Sequence, residues 1–225
     1  MMVKASGIHK SYGALNVLKG IDLEVKKGEV ISIVGASGAG KSTLLHIIGT
    51  LDVPDRGSLS IDSKDVFSQS SSALASFRNQ SIGFVFQFHN LLPEFSALEN
   101  VMIPGLIGKR ESNKVKQKAT EVMNLLGIGH RLDHKPSELS GGEQQRAAVA
   151  RALINDPALI LADEPSGNLD SKNAQELHAL FFDLRKQLNQ TFIIVTHNQE
   201  FASMADRKVE IRDGMIVAEN LGVSI

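Results

Sequence analysis

The 225-residue chain contains no cysteine. That excludes disulfides, thiolate metal sites and cysteine nucleophiles together, and suits a reducing compartment. There is no tryptophan and a single tyrosine, Tyr12. No apolar run approaches the roughly 18 residues needed to span a bilayer. Met1–Ser6 lacks the apolar core of a signal peptide. The expectation is a soluble, cytoplasmic chain with no direct membrane insertion, so that any membrane role would come through a partner. Neither charge sign dominates: 24 Lys and Arg stand against 25 Asp and Glu, a net charge of −1. A chain built to coat nucleic acid through bulk charge is therefore not expected. What is present is ordinary for a folded chain. Hydrophobic residues make up 42% and charged residues 22%, which permits a substantial core and argues against disorder.

The most informative stretch is Gly35-Ala36-Ser37-Gly38-Ala39-Gly40-Lys41-Ser42-Thr43. It fits G-x-x-x-x-G-K-[ST], a phosphate-cradling loop. Val30–Val34 before it is a short apolar run of strand type, and Leu44–Ile48 after it continues as a helix. A strand, a glycine-rich turn and a helix N-terminus aim several backbone N–H groups at one spot, and the helix dipole adds positive potential there. Lys41 can bridge the outer phosphates, and the Ser42 hydroxyl can ligate Mg²⁺. The plainer reading, a glycine-rich turn with a chance lysine, does not account for the strand and helix on either side. The stretch is read as a nucleoside triphosphate site.

Residues 3–34 read as short strands with turns, Lys27-Gly28 being one such turn. Tyr12 is either a partly buried strand residue or an aromatic plate for a base. Pro54–Gly57 predicts a turn, Ser58–Asp62 a half-buried strand and Ala73–Arg78 a short helix. Ile82–Phe86 predicts a buried strand, with Gln87 just past its end. From residue 88 to about 156 the patterns are helical. Val115, Ala119, Val122, Met123 and Leu126 share one helical face, with Ser112 a candidate cap at the start and Gly127 at the end. Strand signals return at Leu159–Asp163 and Phe192–Thr196. Between them Leu177, Leu180, Phe181, Leu184 and Leu188 line a helix face. Asp213-Gly214 predicts a hairpin turn. The outline is one α/β nucleotide-binding domain interrupted by a helical insertion.

Two further stretches carry chemistry. Leu159–Asp163 is an apolar strand ending in a carboxylate, with Glu164 next; Asp163 can ligate Mg²⁺ directly or through water, and Glu164 can polarise an attacking water. The plainer reading is a solvated turn. Leu139-Ser140-Gly141-Gly142-Glu143-Gln144-Gln145-Arg146 has capping-box spacing between Ser140 and Glu143. It is a good helix start and also a second anion site at a helix N-terminus. One nucleotide does not need two such ends from one chain, so a second copy of the chain could supply the other.

In order along 3–220, the motifs Gly35–Thr43, Gln87, Leu139–Arg146, Leu159–Glu164, Ser166-Gly167-Asn168-Leu169-Asp170 and His197 resemble those of the ATPase subunits of ATP-binding-cassette (ABC) transporters. The resemblance implies a P-loop NTPase (RecA-like) α/β core, residues 1–87 and 157–225. It adds an N-terminal antiparallel β subdomain and an inserted α-helical signature subdomain, residues 88–156, within a single domain. It implies a homodimer that holds ATP and Mg²⁺ between its copies. Tyr12 would stack on adenine. Gly35, Ser37, Gly38, Ala39, Gly40, Lys41, Ser42 and Thr43 would hold the phosphates, with Ser42, Gln87 and Asp163 serving the metal. Gln87, Glu164 and His197 would be catalytic: the first senses the metal and water, the second is the base, and the third holds the γ-phosphate. Ser140, Gly141 and Gly142 would meet the nucleotide of the opposite copy, and Asp170 would lie at the seam. His9, His46, His89, His130, His134 and His178 show no metal-ligand pattern and are expected in structural or surface roles.

Phe86–Val101 and Ile103–Lys109 look like the ATPase of the bacterial lipoprotein-releasing system. That branch also holds macrolide and peptide exporters and a cell-division ATPase. The resemblance implies integral permease subunits as partners and a peripheral place on the cytoplasmic face of the inner membrane. Ala39 stands where serine is common, Gln144 where arginine is common, Ser166 where threonine is commoner, and Asn198 where aspartate often follows the histidine; none of these removes a hydrolytic group. DNA-repair and chromosome-structure ATPases share the motifs but place long coiled coils between them. Here fewer than about 100 residues separate Thr43 from Leu139, without sustained heptads. Translation-associated factors carry paired cassettes, and this chain holds one.

Overall fold

The computed structural model describes residues 1–222. Its strands are β1 Val3–Tyr12, β2 Leu15–Val25, β3 Val30–Val34, β4 Arg56–Ile61, β5 Lys64–Asp65, β6 Ile82–Phe86, β7 Leu159–Asp163, β8 Thr191–Val195, β9 Arg207–Arg212 and β10 Met215–Leu221. Its α-helices are α1 Lys41–Ile48, α2 Ser71–Ser81, α3 Ala97–Ile107, α4 Ser112–Leu125, α5 Gly141–Leu153, α6 Ser171–Leu188 and α7 Gln199–Met204. The chain divides into two compact units, the first formed by residues 1–75 with those from Leu184 onward and the second by Ser76–Asp183.

In the first unit, β1 pairs antiparallel with β2 and β4, and β5 adds to β4. One face of β1 is buried and the other meets water, hence its mixed sequence. The strands β10-β9-β3-β8 run side by side in that order. β3 pairs parallel with both β8 and β9. All five residues of β3 and of β8 are buried, which explains their mostly apolar runs; the buried Ser32 hydroxyl of β3 donates to the Ala202 carbonyl at 3.0 Å. β9 and β10 close an antiparallel hairpin through Asp213 and Gly214, at φ 49° and 80°, as a two-residue turn of this hand requires. α1 buries Leu44, Leu45, Ile47 and Ile48. Arg56 and Gly57, expected in a turn, already belong to β4.

In the second unit, β6 and β7 pair parallel, Ile82 with Leu159 through Phe86 with Asp163. Between them come only helices and short 3₁₀ turns. α5 is the axis: Ala147, Ala148, Val149 and Ala150 are all fully buried. Their small side chains let neighbours come close. A Cβ at Gly83 of β6 would lie 2.4 Å from the Ala152 carbonyl oxygen, and one at Gly105 of α3 would lie 2.8 Å from Val115 Cγ1 on α4. α4 buries Val115, Ala119, Val122 and Met123, as its periodicity predicts. Gly127, left-handed at φ 72°, follows its end as a terminating glycine. Ser112 is not the cap. Glu111 takes that position with extended backbone and no side-chain cap bond, and its carboxylate pairs with Lys114 at 2.9 Å.

The helix expected over Ala73–Arg78 extends to Ser71–Ser81. On α6, Leu177, Phe181 and Leu184 are buried, but Leu188 is exposed because the helix stops there. Among the described residues no helix is long and apolar enough to cross a membrane.

Candidate functional site

Consider first the unit carrying β3. Its parallel neighbour β8 ends beside it, the N–H of Thr196 donating to the Ile33 carbonyl at 3.1 Å. The loop after β3 and His197 after β8 therefore leave the same edge of the sheet. His197 is exposed, and Thr196 is buried with its hydroxyl accepting from the Asn198 N–H at 3.1 Å. Asn198 in turn caps α7. The histidine thus sits on a turn fixed on both sides.

The loop Gly35–Gly40 exposes Ser37 and Gly38 and buries Ala39 and Gly40. Ala39 is pinned, its N–H on the Ala36 carbonyl and its own carbonyl on the Gly214 N–H, each at 3.2 Å. Gly38 has φ 78° and open space where a Cβ would point. Gly40 caps α1 at φ 104° without a side-chain bond, and a Cβ there would meet Leu18 Cδ2 at 2.7 Å. Both left-handed positions favour glycine, and at Gly40 close packing requires it as well. The first-turn N–H groups of Lys41, Ser42 and Thr43 have no intrahelical acceptor. Lys41 folds back over the loop, its Nζ donating to the Gly35 and Ala36 carbonyls at 3.0 and 2.9 Å. These are neutral acceptors that a phosphate would outcompete.

Tyr12 ends β1 and is 50% exposed, a half-covered strand residue that leaves both readings open. Its hydroxyl donates to Asp52 Oδ2 at 2.5 Å, and Lys10 Nζ donates to Asp52 Oδ1 at 2.7 Å. The Asp52 hydrogen bond, with burial, raises the Tyr12 phenol above its ordinary range, and the Lys10 charge opposes this. Burial pushes the Asp52 carboxyl up, but the bonds from Lys10, Tyr12 and the Val53 N–H outweigh it and hold the group below the ordinary value.

In the other unit, the pairing of Phe86 with Asp163 places Gln87 and Glu164 at the same sheet edge. Asp163 and Glu164 are half-buried. Glu164 has φ 47°, a left-handed backbone that a non-glycine residue adopts at a cost and that recurs at functional positions. Gln87 Nε2 donates to Asn168 Oδ1, and Asn168 Nδ2 donates to the Gln87 carbonyl, both at 3.1 Å. A Cβ at Gly167 would sit 2.9 Å from Gln87 Nε2. The segment 164–170 and the end of β6 are therefore locked together. Ser166 Oγ lies 3.0 Å from His178 Nε2. Burial drives the His178 pKa down to about 4, so this imidazole is neutral at pH 7. It is structural, as expected for His178.

Ser140 and Glu143 form the predicted capping box on α5. The Ser140 N–H donates to Glu143 Oε2 at 2.8 Å, and Ser140 Oγ accepts from the Glu143 N–H at 3.3 Å. The oxygen serves the cap, and its hydroxyl hydrogen remains to be donated elsewhere. Ser140 and Gly141 are exposed; Gly142 is buried, and a Cβ there would lie 2.5 Å from Asn173 Oδ1. Gly142 is thus explained by packing against the start of α6. Asp170 accepts from the Asn173 backbone and side-chain N–H groups at 2.9 and 2.7 Å, and these bonds hold its carboxyl below the ordinary value. Gln144 donates to the Pro136 and Leu139 carbonyls at 3.0 and 3.1 Å, bracing the chain that enters the box.

The sequence reading missed Lys10, Asp52 and Arg151, and quoted Asn168 without giving it a role. Arg151, near the end of α5, donates to the Asn90 and His89 carbonyls at 2.6 and 2.7 Å and so fixes the loop after Gln87. Of these, only Lys10 left a signal: it lies two residues before Tyr12, on the same strand face.

Residues 18–167 match the family model described as "ABC transporter". The chain is 59% identical over 216 residues to the lipoprotein-releasing system ATP-binding protein LolD of Cytophaga hutchinsonii, covering 96% of this chain and 99% of that protein. It is 60% identical over 215 residues to the LolD of Bacteroides thetaiotaomicron, with the same coverage. A solved structure described as a dimeric post-hydrolysis state of the ATP-binding cassette MJ0796 bound to ADP and Pi superposes with a TM-score of 0.90. That cassette is 38% identical, and all of both chains is covered.

Proposed function

The chain belongs to the ABC transporter family as an ATP-binding ABC ATPase, and from that premise we propose that it powers the release of lipoproteins from the bacterial inner membrane. The observation that carries this reading is the full-length similarity to relatives named for lipoprotein release. The segment 88–109, which resembles that branch, also offers an exposed apolar surface. Phe88 and Ile107 are 67% and 65% exposed, as suits a segment that docks an integral permease subunit. A chain without a spanning helix among its described residues would then work at the cytoplasmic face.

Within the cycle, Lys41 exchanges the Gly35 and Ala36 carbonyls for ATP phosphate oxygens, and the free N–H groups at the start of α1 receive the same anion. Ser42, Gln87 and Asp163 are the residues that would hold Mg²⁺. They offer hydroxyl, amide and carboxylate oxygens. Among the described residues no cluster of three or more His, Asp or Glu stands ready as a cage. That donor set fits an ion that keeps waters and phosphate oxygens in its shell. When bound, Mg²⁺ neutralises charge on the outer phosphates. Glu164 accepts a proton from the attacking water, and His197 donates to the γ-phosphate. Two copies assemble head to tail. The Ser140 hydroxyl and the N–H groups of Gly141 and Gly142 meet the nucleotide held by the other copy, with Asp170 at the seam. ATP closes the dimer by contacts that only the closed state makes, and hydrolysis releases them.

The test is co-purification from membranes, with the chain as bait in each nucleotide state. Integral subunits that retain lipoprotein are expected; if no integral protein binds in any state, the exporter reading fails. In parallel, Glu164→Gln should bind ATP, lose turnover by about 100-fold or more, and accumulate as a dimer in gel filtration with ATP. Turnover like that of the natural chain would remove Glu164 from the role of base.

A further inference from the structure

Tyr12 sits inside a polar cluster that a bare stacking surface does not require. Lys10 keeps only 12% of its side-chain surface exposed. Its Nζ donates to Asp52 Oδ1 and to the Val53 carbonyl, both at 2.7 Å, and lies 5.2 Å from the centroid of the Tyr12 ring. That distance is within cation–π range. On the same phenol, the hydroxyl is held by Asp52.

Backbone contacts fix these groups in turn. After α1 the chain doubles back, the N–H groups of Leu51 and Asp52 both donating to the His46 carbonyl at 2.9 and 3.3 Å. His46 lies three residues after Thr43, on the same face of the helix. The turn that follows is strapped to β1 by the Asp55 N–H on the His9 carbonyl at 2.8 Å and the Ser11 N–H on Asp55 Oδ2 at 2.7 Å. Tyr12 is therefore tied to the helix whose first turn carries Lys41, Ser42 and Thr43.

We propose that Lys10 and Asp52 are positioning residues for the nucleobase: Asp52 locks the Tyr12 ring through its hydroxyl, and Lys10 covers one face, leaving the other as a preorganised stacking surface. The inference rests on the reading of Tyr12 as the base platform. Its 50% exposure matches one covered and one open face. A ring already held in place loses no rotamer freedom when the base arrives. The ammonium on the far face draws on the ring's π density. Stacking tolerates any base, so the gain applies to ATP and GTP alike and not to the phosphates.

Tripolyphosphate, which has no base, is the control. The full chain is titrated with ATP and with tripolyphosphate, both with Mg²⁺, in the natural form and as Tyr12→Ala, Lys10→Met, Lys10→Arg and Asp52→Asn. Tyr12→Ala should weaken ATP by about tenfold or more, and Lys10→Met and Asp52→Asn by about three- to tenfold. Tripolyphosphate should bind all variants alike, and Lys10→Arg should restore most of the affinity. In turnover, Lys10→Met and Asp52→Asn should raise KM and leave kcat within about twofold.

With one tyrosine and no tryptophan in the chain, intrinsic emission reports on Tyr12 alone. Asp52→Asn should brighten it by removing the carboxylate that quenches the phenol. If Tyr12→Ala binds ATP normally, the base-platform reading falls and this inference with it. If Tyr12→Ala is weakened but Lys10→Met and Asp52→Asn are not, this inference alone falls. It falls too if those two variants lose ATP and tripolyphosphate equally, since the residues then merely hold the fold.

Discussion

Glu143 offers a stability measurement whose size and pH dependence both follow from the structure. Its Oε2 accepts from the Ser140 N–H at 2.8 Å, and its Oε1 accepts from Arg131 Nε at 2.7 Å with His130 Nε2 at 3.6 Å. The Ser140 bond is the largest influence, and with Arg131 it outweighs burial and brings the carboxyl from 4.5 down to about 2. The full drop corresponds to at most about 3.4 kcal/mol. The side chain keeps 19% of its surface exposed and Arg131 34%, so solvent screening trims this to about 2 kcal/mol. Because the folded value is depressed, the contribution is complete above the unfolded value and is lost as pH falls from 4.5 towards 2. Glu143→Gln keeps the shape and an acceptor for Ser140 but abolishes the charge. Urea unfolding of both proteins at several pH values should show a gap of about 1–2 kcal/mol at pH 6–7, shrinking steadily below pH 4.5. A gap under about 0.5 kcal/mol at pH 7, or one that stays constant from pH 6 to pH 3, would refute the argument.

Two further variants probe how α5 is held. Arg151→Met keeps most of the apolar stem and removes two charge-assisted bonds to the His89 and Asn90 carbonyls. It should cost about 2–3 kcal/mol in thermal unfolding and speed hydrogen exchange at residues 88–91 ahead of the rest of the unit. Gly83→Ala drives a Cβ to 2.4 Å from the Ala152 carbonyl oxygen, a contact with backbone that cannot rotate away. A loss of about 1–3 kcal/mol is expected, and an unchanged melting temperature would show that β6 and α5 are less closely packed than described.

The strands were legible where both faces are covered. β3, β7 and β8 appear as mainly apolar runs because most of their side chains are buried; Ser32 and Thr191 are tolerated there by hydrogen bonds. Helix ends were less so. Ser112 is a good cap in isolation, but Glu111 spends its carboxylate on Lys114, and the helix begins one residue sooner than a serine cap would place it. The motifs of the candidate site stand out because each is a short consecutive stretch. Their supports do not. Lys10 meets Asp52 across 42 positions, Arg151 meets Asn90 across 61 and Gln87 meets Asn168 across 81, and no local pattern marks such pairs.

Ser140 shows what three dimensions add even where the capping box was legible in the sequence. From the sequence, cap and phosphate ligand compete for one hydroxyl. In the structure the cap uses Ser140 only as an acceptor, at a long 3.3 Å, while Glu143 holds the Ser140 N–H at 2.8 Å. A hydroxyl has one hydrogen to give and two lone pairs. A phosphate oxygen needs the hydrogen, which the cap does not use. The cap and the proposed phosphate contact are therefore compatible: the box takes the Ser140 oxygen as acceptor and leaves its hydrogen to give.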